Sequence, residues 1–141
     1  SVLKVSTGVE IEREHLRAVV HIPRINTSFD LLNIRRLPYF RISISLGSVS
    51  DMVYREDLKQ YVPANEKLNG ISRTFTGEWI PAVNIREGQM VEVGLNESLR
   101  GDLTEEVTLI VSAAVEFGEV GFDGKPQEVK YAGSGKVLIC G

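Results

Sequence analysis

Two segments of this sequence alternate apolar and polar side chains with a period of two, and this pattern restricts the fold more than any other feature. In Tyr39–Leu46 every second residue is apolar, and Pro38 and Gly47 bound the run. The longer segment 107–117 repeats the pattern. Because successive side chains of a strand point to opposite faces, Tyr39–Leu46 is predicted to be a half-buried strand. Segment 107–117 is predicted to be a long strand whose second face is covered in its first part and exposed to water at its far end. The predicted core positions are Ile42, Ile44, Leu109, Val111 and Val115.

Shorter runs rich in β-branched residues predict further strands at 73–83, 90–95 and 135–140. The pairs Asn69-Gly70 and Glu87-Gly88 are typical turn signals between them. About eight short strands with turns roughly every 8–12 residues predict an all-β fold. We therefore expect an antiparallel two-sheet sandwich, of the immunoglobulin/fibronectin-like or jelly-roll kind, although the sequence has no Cys-Trp-Cys spacing.

The segment 106–132 is predicted to form one hairpin, because Asp123-Gly124 has the composition of a tight turn. The first third of the chain is more ambiguous, since 9–22 contains strand-spaced apolar residues together with good helix formers. Its β-branched end favours strands, and a short helix near the N-terminus is the alternative. The segment 25–34 is predicted as a further strand, broken at Asp30.

The size of the chain fits one domain spanning residues 1–141. A chain of 141 residues can bury about 68% of the surface that it exposes when unfolded, which is enough for a single core. The one long excursion is 47–70, where two apolar stretches, Met52–Tyr54 and Tyr61–Pro63, flank a polar stretch at 55–60. A protruding hairpin is predicted there, and an irregular loop is the alternative.

Charge and composition argue against several classes of protein. The net charge is −3, and the densest basic cluster is only Arg35, Arg36 and Arg41, so nucleic-acid binding is not expected. No apolar run is long enough to predict a membrane span. The single cysteine, Cys140, excludes an internal disulfide framework. The location is left open: extracellular or cell-surface if a signal has been removed, and cytoplasmic or virion otherwise.

No motif in the sequence specifies a chemistry. Gly133–Lys136 resembles part of a phosphate-binding loop, but Val137 stands where a Ser or Thr is needed. His15 and His21 lack further ligands at metal-site spacing. No nucleophile elbow is present. We therefore predict no catalytic residue, no metal and no cofactor, and we expect that the protein is not an enzyme.

The candidate binding residues are aromatic or lie beside aromatics. Exposed aromatic side chains give a large contact area at a small entropic cost, which suits protein or carbohydrate partners. Trp79 precedes the apolar residues Ile80 and Pro81, so for that residue core packing is favoured and an exposed binding role is the alternative. The predicted binding residues are Tyr54, Arg55, Tyr61 and Trp79.

Three functions are consistent with these features. The favoured one is a non-catalytic binding or accessory module that acts through its loops and the projecting hairpin. The alternative is a self-associating structural subunit of a virion, an appendage or a surface assembly. The third is a polymer-acting hydrolase, which would need two carboxylates facing each other across a cleft.

Overall fold

A computed structural model of the chain describes residues 7–28, 30–33, 35–83 and 85–141. With 56% strand and 7% helix, the protein is nearly all β, as the period-two patterns predict. Within these ranges the helical residues form two 3-10 helices, Arg13–His15 and Glu97–Asp102. The strands in chain order are β1 Gly8–Glu12, β2 Arg17–Ile22, β3 Ile25–Asn26, β4 Tyr39–Ser50, β5 Met52–Arg55, β6 Gln60–Pro63, β7 Ile71–Thr76, β8 Ile80–Pro81, β9 Ile85–Arg86, β10 Gln89–Gly94, β11 Val107–Val120, β12 Pro126–Glu128 and β13 Ser134–Cys140.

The two segments with the clearest alternation form the centre of the main sheet. Strands β4 and β11 pair antiparallel along their whole shared length, from Val107 opposite Ser50 to Gly118 opposite Tyr39. Strands β7 and β8 pair with the other edge of β4, while β12 and β13 pair with the other edge of β11. All of these pairings are antiparallel. One sheet of the protein curls into a half-barrel.

A second sheet, in the order β1-β2-β10, completes the core. The inward residues of both sheets belong to one hydrophobic cluster. Within it, Phe40 and Phe117 lie opposite each other at one end and are at most 1% exposed. The five predicted core residues are confirmed, since each is at most 4% exposed: Ile42, Ile44, Leu109, Val111 and Val115.

The ambiguous N-terminal region forms strands, as its β-branched residues favour. Strand β2 pairs with β1 on one side and β10 on the other, which places Val20 and Ile22 in the core. The helix formers contribute only the 3-10 turn Arg13–His15 between β1 and β2. Leu16 ends that turn in a left-handed conformation with φ of 49°.

The prediction of a strand at 25–34 is mostly wrong. Only Ile25–Asn26 pairs as a strand, with β9. The Asp30 carboxylate accepts a hydrogen bond from the Asn26 backbone N–H at 2.8 Å, so a local side-chain bond replaces a ladder bond. Ile34, at the end of the predicted strand, lies outside the described residues.

Two other predicted elements are present but divided. The run 73–83 separates into β7 and β8 at Gly77, whose N–H donates to the Ile42 carbonyl. The hairpin after β11 turns at Asp123-Gly124 as predicted, with φ of 79° at Gly124. Its return strand β12 is only 3 residues long. Further along β11, strand β13 occupies the same edge.

Candidate functional site

The candidate site is a two-stranded ribbon that continues strand β4 past the end of the main sheet. Strands β5 and β6 pair antiparallel, and their register places Tyr54 opposite Tyr61. Every residue of β5 is exposed, so neither face of this strand is covered by the rest of the described chain. The ribbon carries large exposed apolar side chains, with exposed fractions of 52% for Met52, 43% for Val53, 50% for Tyr54, 49% for Leu58 and 68% for Tyr61.

The alternation of the strands gives the ribbon two different faces. One face is apolar and aromatic, and the register assigns to it Met52, Tyr54, Tyr61 and Pro63. The tyrosine rings meet edge to face, with centroids 5.2 Å apart and an interplanar angle of 63°. This geometry is favourable for aromatic pairs and holds both rings in place. We call this surface the tyrosine face.

The opposite face is more polar and borders an open groove of about 600 Å³. Val53 and Arg55 line the groove from the ribbon, and Lys67 and Asp102 line it from the body of the protein. The guanidinium of Arg55 donates to Asp57 in the turn, with Nε and Oδ1 3.1 Å apart. Both partners are more than half exposed, so this ion pair contributes little to stability.

Hydrogen bonds at the base of the ribbon fix its direction. Asp51, which separates β4 from β5, donates its N–H to the Glu106 carbonyl at 2.8 Å and accepts from the Ala64 N–H at 2.8 Å. These bonds tie both strands of the ribbon to the start of β11. The ribbon is therefore attached to the body of the protein at its base, while strand β5 beyond the base stays exposed.

Asn65 is the central residue of this attachment, and sequence reasoning did not identify it. Its side-chain N–H groups donate to the Asp102 carbonyl at 2.7 Å and to Thr104 Oγ1 at 3.0 Å. Its backbone N–H donates to Ser50 Oγ at 2.9 Å. The only sequence signal is an Asn just after an apolar strand and a proline, which is common in turns. The exposure of Met52, Val53 and Leu58 was also not anticipated.

The predicted binding residues fall into two separate places. Tyr54, Arg55 and Tyr61 lie together on the ribbon, which follows the last residue of β4. Trp79 lies beside the first residues of β4, next to β8. The structure therefore brings three of the four residues together and places the fourth at the opposite end of the main sheet.

Trp79 is half-buried on the outer face of the main sheet, so its assignment to the core was wrong. A Cβ at Gly118 would come within 2.9 Å of Trp79 Cζ3, so the glycine leaves the space that the indole ring fills. The guanidinium carbon of Arg41 lies 4.2 Å from the ring centroid, a cation–π contact. The ring thus covers a polar cluster on the outer face and makes no part of the core.

That cluster is centred on Glu116. Its carboxylate accepts two hydrogen bonds from Arg41, at 3.0 Å from Nε and 2.7 Å from Nη2, and one from Ser43 Oγ at 3.0 Å. Burial raises the pKa of Glu116, but the hydrogen bonds from Arg41, Glu128 and Ser43 outweigh it and leave the pKa below its ordinary value. The hydrogen bond with Glu116, followed by its negative charge, raises the pKa of Glu128. When one of the two carboxyl groups is protonated, the proton therefore resides on Glu128.

The Glu116–Glu128 pair makes the free energy of unfolding depend on pH, and the substitution Glu128→Gln tests this dependence. The folded-state pKa of Glu128 is raised above its ordinary value of 4.5. The protonated carboxyl group therefore stabilises the folded state fully below pH 4.5, and this stabilisation is lost as the pH rises through the raised pKa. The amide of Glu128→Gln can donate to Glu116 at every pH. We expect the variant to match the parent near pH 4 and to be more stable at pH 7, measured by urea unfolding with Trp79 fluorescence.

Glu119→Gln is the matched control, because Glu119 is an exposed carboxylate on β11 outside the cluster. The folded-state pKa of Glu116 is lowered, so its own contribution is present above pH 4.5 and lost as the pH falls through the lower value. That loss is common to the parent and Glu119→Gln, whereas in Glu128→Gln the amide replaces Glu128 as a donor to Glu116. An equal stability difference between Glu128→Gln and the parent at both pH values would contradict the shared proton.

The histidines and acidic side chains of the described chain are dispersed over several elements. No group of three or more His, Cys, Asp or Glu side chains suited to a metal ion occurs among residues 7–28, 30–33, 35–83 and 85–141. His15 lies in the first 3-10 helix and His21 on β2, and both are exposed. Within the same ranges, no helix has the length and apolar character needed to cross a membrane.

Comparison with known proteins gives no relative from which function could be carried over. No family model, no curated protein and no solved structure matches the chain.

Proposed function

We propose that this chain is a non-catalytic binding module that uses the tyrosine face of the β5–β6 ribbon to hold a protein partner. In this proposal the body is a two-sheet sandwich of the immunoglobulin/fibronectin-like or jelly-roll kind. Its support is the single core shared by the β1-β2-β10 sheet and the main sheet. The sandwich acts as a rigid base from which the ribbon projects.

The observation that carries the proposal is an apolar ribbon left uncovered on a strand exposed along both faces. An isolated two-stranded hairpin is only marginally stable in water, and exposed apolar side chains in a cluster mark interaction surfaces. Here the base of the ribbon is fixed by Asp51 and Asn65 while its apolar side chains remain exposed. A partner that covers the tyrosine face accounts for both features.

The composition of the ribbon favours a protein partner over a carbohydrate. Carbohydrate sites combine aromatic platforms with several converging polar groups. The tyrosine face instead adds Met52 and Pro63 to its two aromatic rings, and Leu58 stands at the tip. Tyrosine and methionine are both enriched at protein interfaces. An edge-to-face tyrosine pair also loses little side-chain entropy when it is covered.

The double variant Tyr54→Ser/Tyr61→Ser tests this proposal. We expect it to retain the melting temperature of the parent within a few degrees, since both rings are at least half exposed. Proteins captured from the source organism are identified by mass spectrometry, and the strongest candidate is purified and titrated by calorimetry. Binding should weaken at least about tenfold, as for a hot-spot pair that contributes about 1.4 kcal/mol or more.

Tyr131→Ser is the matched control, because Tyr131 is a fully exposed tyrosine away from the ribbon. A second variant replaces residues 55–60 by Asn-Gly, which closes the hairpin with a two-residue turn and keeps both tyrosines. It should fold with nearly unchanged stability and separates the role of Arg55 from that of the rings. Equal binding of the purified partner by the double variant and by Tyr131→Ser would refute the proposal, as would selective binding of a glycan.

A second candidate function is supported by the open edge of the main sheet. Strand β13 pairs with β11 on one side and with no other described strand on the other. It exposes 59% of Val137 and 39% of Ile139. An uncovered edge strand is a template for pairing with another chain, as in a structural subunit of a virion, appendage or surface assembly. Sedimentation at rising concentration distinguishes the two, since reversible polymers that persist in the Tyr54→Ser/Tyr61→Ser variant favour this function.

A further inference from the structure

A second, polar groove borders the first residues of the Glu97–Asp102 helix. It is open, has a volume of about 480 Å³, and is lined by residues far apart in sequence. Four of them carry basic side chains: His15, Arg17, Arg73 and Arg100. The remaining wall is formed by Gly94–Glu97. The groove therefore brings basic groups from both sheets and from both 3-10 helices to one place.

The backbone around this groove is fixed by hydrogen bonds. Leu95 donates its N–H to the carbonyl of Leu16 at 2.9 Å, which joins the end of β10 to the turn before β2. Arg100 donates through Nε to the His15 carbonyl at 3.2 Å, which joins the two 3-10 helices. Arg73 enters from β7, where it pairs with the buried Leu46 at the edge of the main sheet.

The basic groups differ in how far carboxylates already neutralise them. Arg17 is held by Glu12, with Nε and Oε2 3.1 Å apart, and also faces Glu92 at 3.9 Å. Arg100 approaches Glu97 only at 3.6 Å, and the Glu97 side chain is 82% exposed, so this pair is weak. Arg73 forms no ion pair with any residue that the structure describes.

The groove therefore keeps unused positive charge on a chain whose net charge is −3. A guanidinium presents a planar fork of N–H donors that matches the oxygens of phosphate and carboxylate groups. A groove of about 480 Å³ is larger than a single phosphate ion, so the matching ligand is a larger anion. Arg73 and Arg100 provide the forks, and Arg17 is oriented beside them by Glu12.

We propose that this groove is a binding site for a small polyphosphate or phosphate ester, held mainly by Arg73 and Arg100. The site is independent of the ribbon and of the function proposed for it. Asn96 lies along the same wall, but its side-chain Oδ1 already accepts from the Ser98 N–H at 3.0 Å. In this proposal Arg73 and Arg100 therefore determine the affinity for the phosphate ligand.

The test is calorimetric titration of the full chain with inorganic pyrophosphate at constant ionic strength. We expect saturable binding with one site per chain, weakened at least about tenfold in Arg73→Gln. The affinity of Arg73→Lys for pyrophosphate should lie between that of the parent and that of Arg73→Gln, because lysine keeps the positive charge but lacks the planar fork of N–H donors. Arg24→Gln is the control, an exposed arginine outside the groove, and should bind as the parent does.

Amide chemical shifts locate the ligand in the same experiment. Pyrophosphate should shift the amides of Gly94 and Leu95 in the parent and not in Arg73→Gln, while the other amides of the variant confirm that it is folded. Absence of saturable binding at millimolar pyrophosphate, or equal weakening by Arg24→Gln, would overturn the site. Citrate is titrated in parallel, and tighter binding of citrate than of pyrophosphate would overturn the assignment to phosphate.

Discussion

Truncation of Ile44 or Leu109 to alanine is expected to lower the free energy of unfolding by about 2–5 kcal/mol. Both side chains are 0% exposed and lie on the paired strands β4 and β11, at the centre of the main sheet. Each strand is held by neighbours on both of its edges, so the backbone has little freedom to close the cavity that alanine leaves. Urea unfolding followed by Trp79 fluorescence measures the loss.

Val49→Ala is the matched control for these two variants. Val49 lies on β4 like Ile44 but points to the outer face, where it is 41% exposed. Its truncation removes two methyl groups from a surface that is partly in contact with water, so we expect a loss below about 1 kcal/mol. A loss for Val49→Ala as large as that for Ile44→Ala would show that the faces of β4 are assigned the wrong way round.

The core could be predicted because the sequences of its two central strands, β4 and β11, themselves show which side chains are buried. In β4 and β11 one face is buried and most of the other is half-buried or exposed, so the period of two appears in the sequence itself. A shift of one residue would exchange Ile44 for Ser43 or Ser45 in the core. The two strands are far apart in sequence, so their pairing could not be predicted from either one alone. The burial pattern, however, appears within each strand as an alternation of apolar and polar residues.

The elements that were mispredicted depend on specific contacts that composition does not show, one of them local and one between distant residues. Segment 25–34 has strand-like composition, yet the Asp30 carboxylate binds the Asn26 backbone and the ladder stops there. Trp79 looks like a core residue from its apolar neighbours. Only the packing of its ring over Gly118, which is remote in sequence, shows that it covers the outer face.

The two proposed sites differ in how visible they are in the sequence. The ribbon is local, so two apolar stretches around a polar tip were enough to predict its position and its tyrosines. Its attachment through Asn65 to Asp102 and Thr104 was not visible. The basic groove was not visible at all, because Arg17, Arg73 and Arg100 are separated by most of the chain and meet only where the two sheets approach.

Gly133→Ala is expected to destabilise the protein by at least about 3 kcal/mol, at the upper end of the range for overpacking. An added Cβ would lie 1.9 Å from the carbonyl oxygen of Val115 and 2.9 Å from its carbonyl carbon. Val115 cannot move away, because it pairs with Ile42 on one side and with Ser134 on the other. The strain must therefore be relieved at the start of β13.

Gly101→Ala is the matched control, and its expected effect has the opposite sign. No described atom lies within 4 Å of a Cβ at Gly101, and its φ is not in the left-handed region. Alanine there should stabilise the protein by about 0.4–1 kcal/mol, because it restricts the unfolded chain. Urea unfolding compares the two variants, and hydrogen exchange should show faster exchange of the β13 amides in Gly133→Ala alone. If both variants are as stable as the parent and β13 stays protected, the close passage of Gly133 over Val115 is wrong, and with it the path by which the chain enters β13.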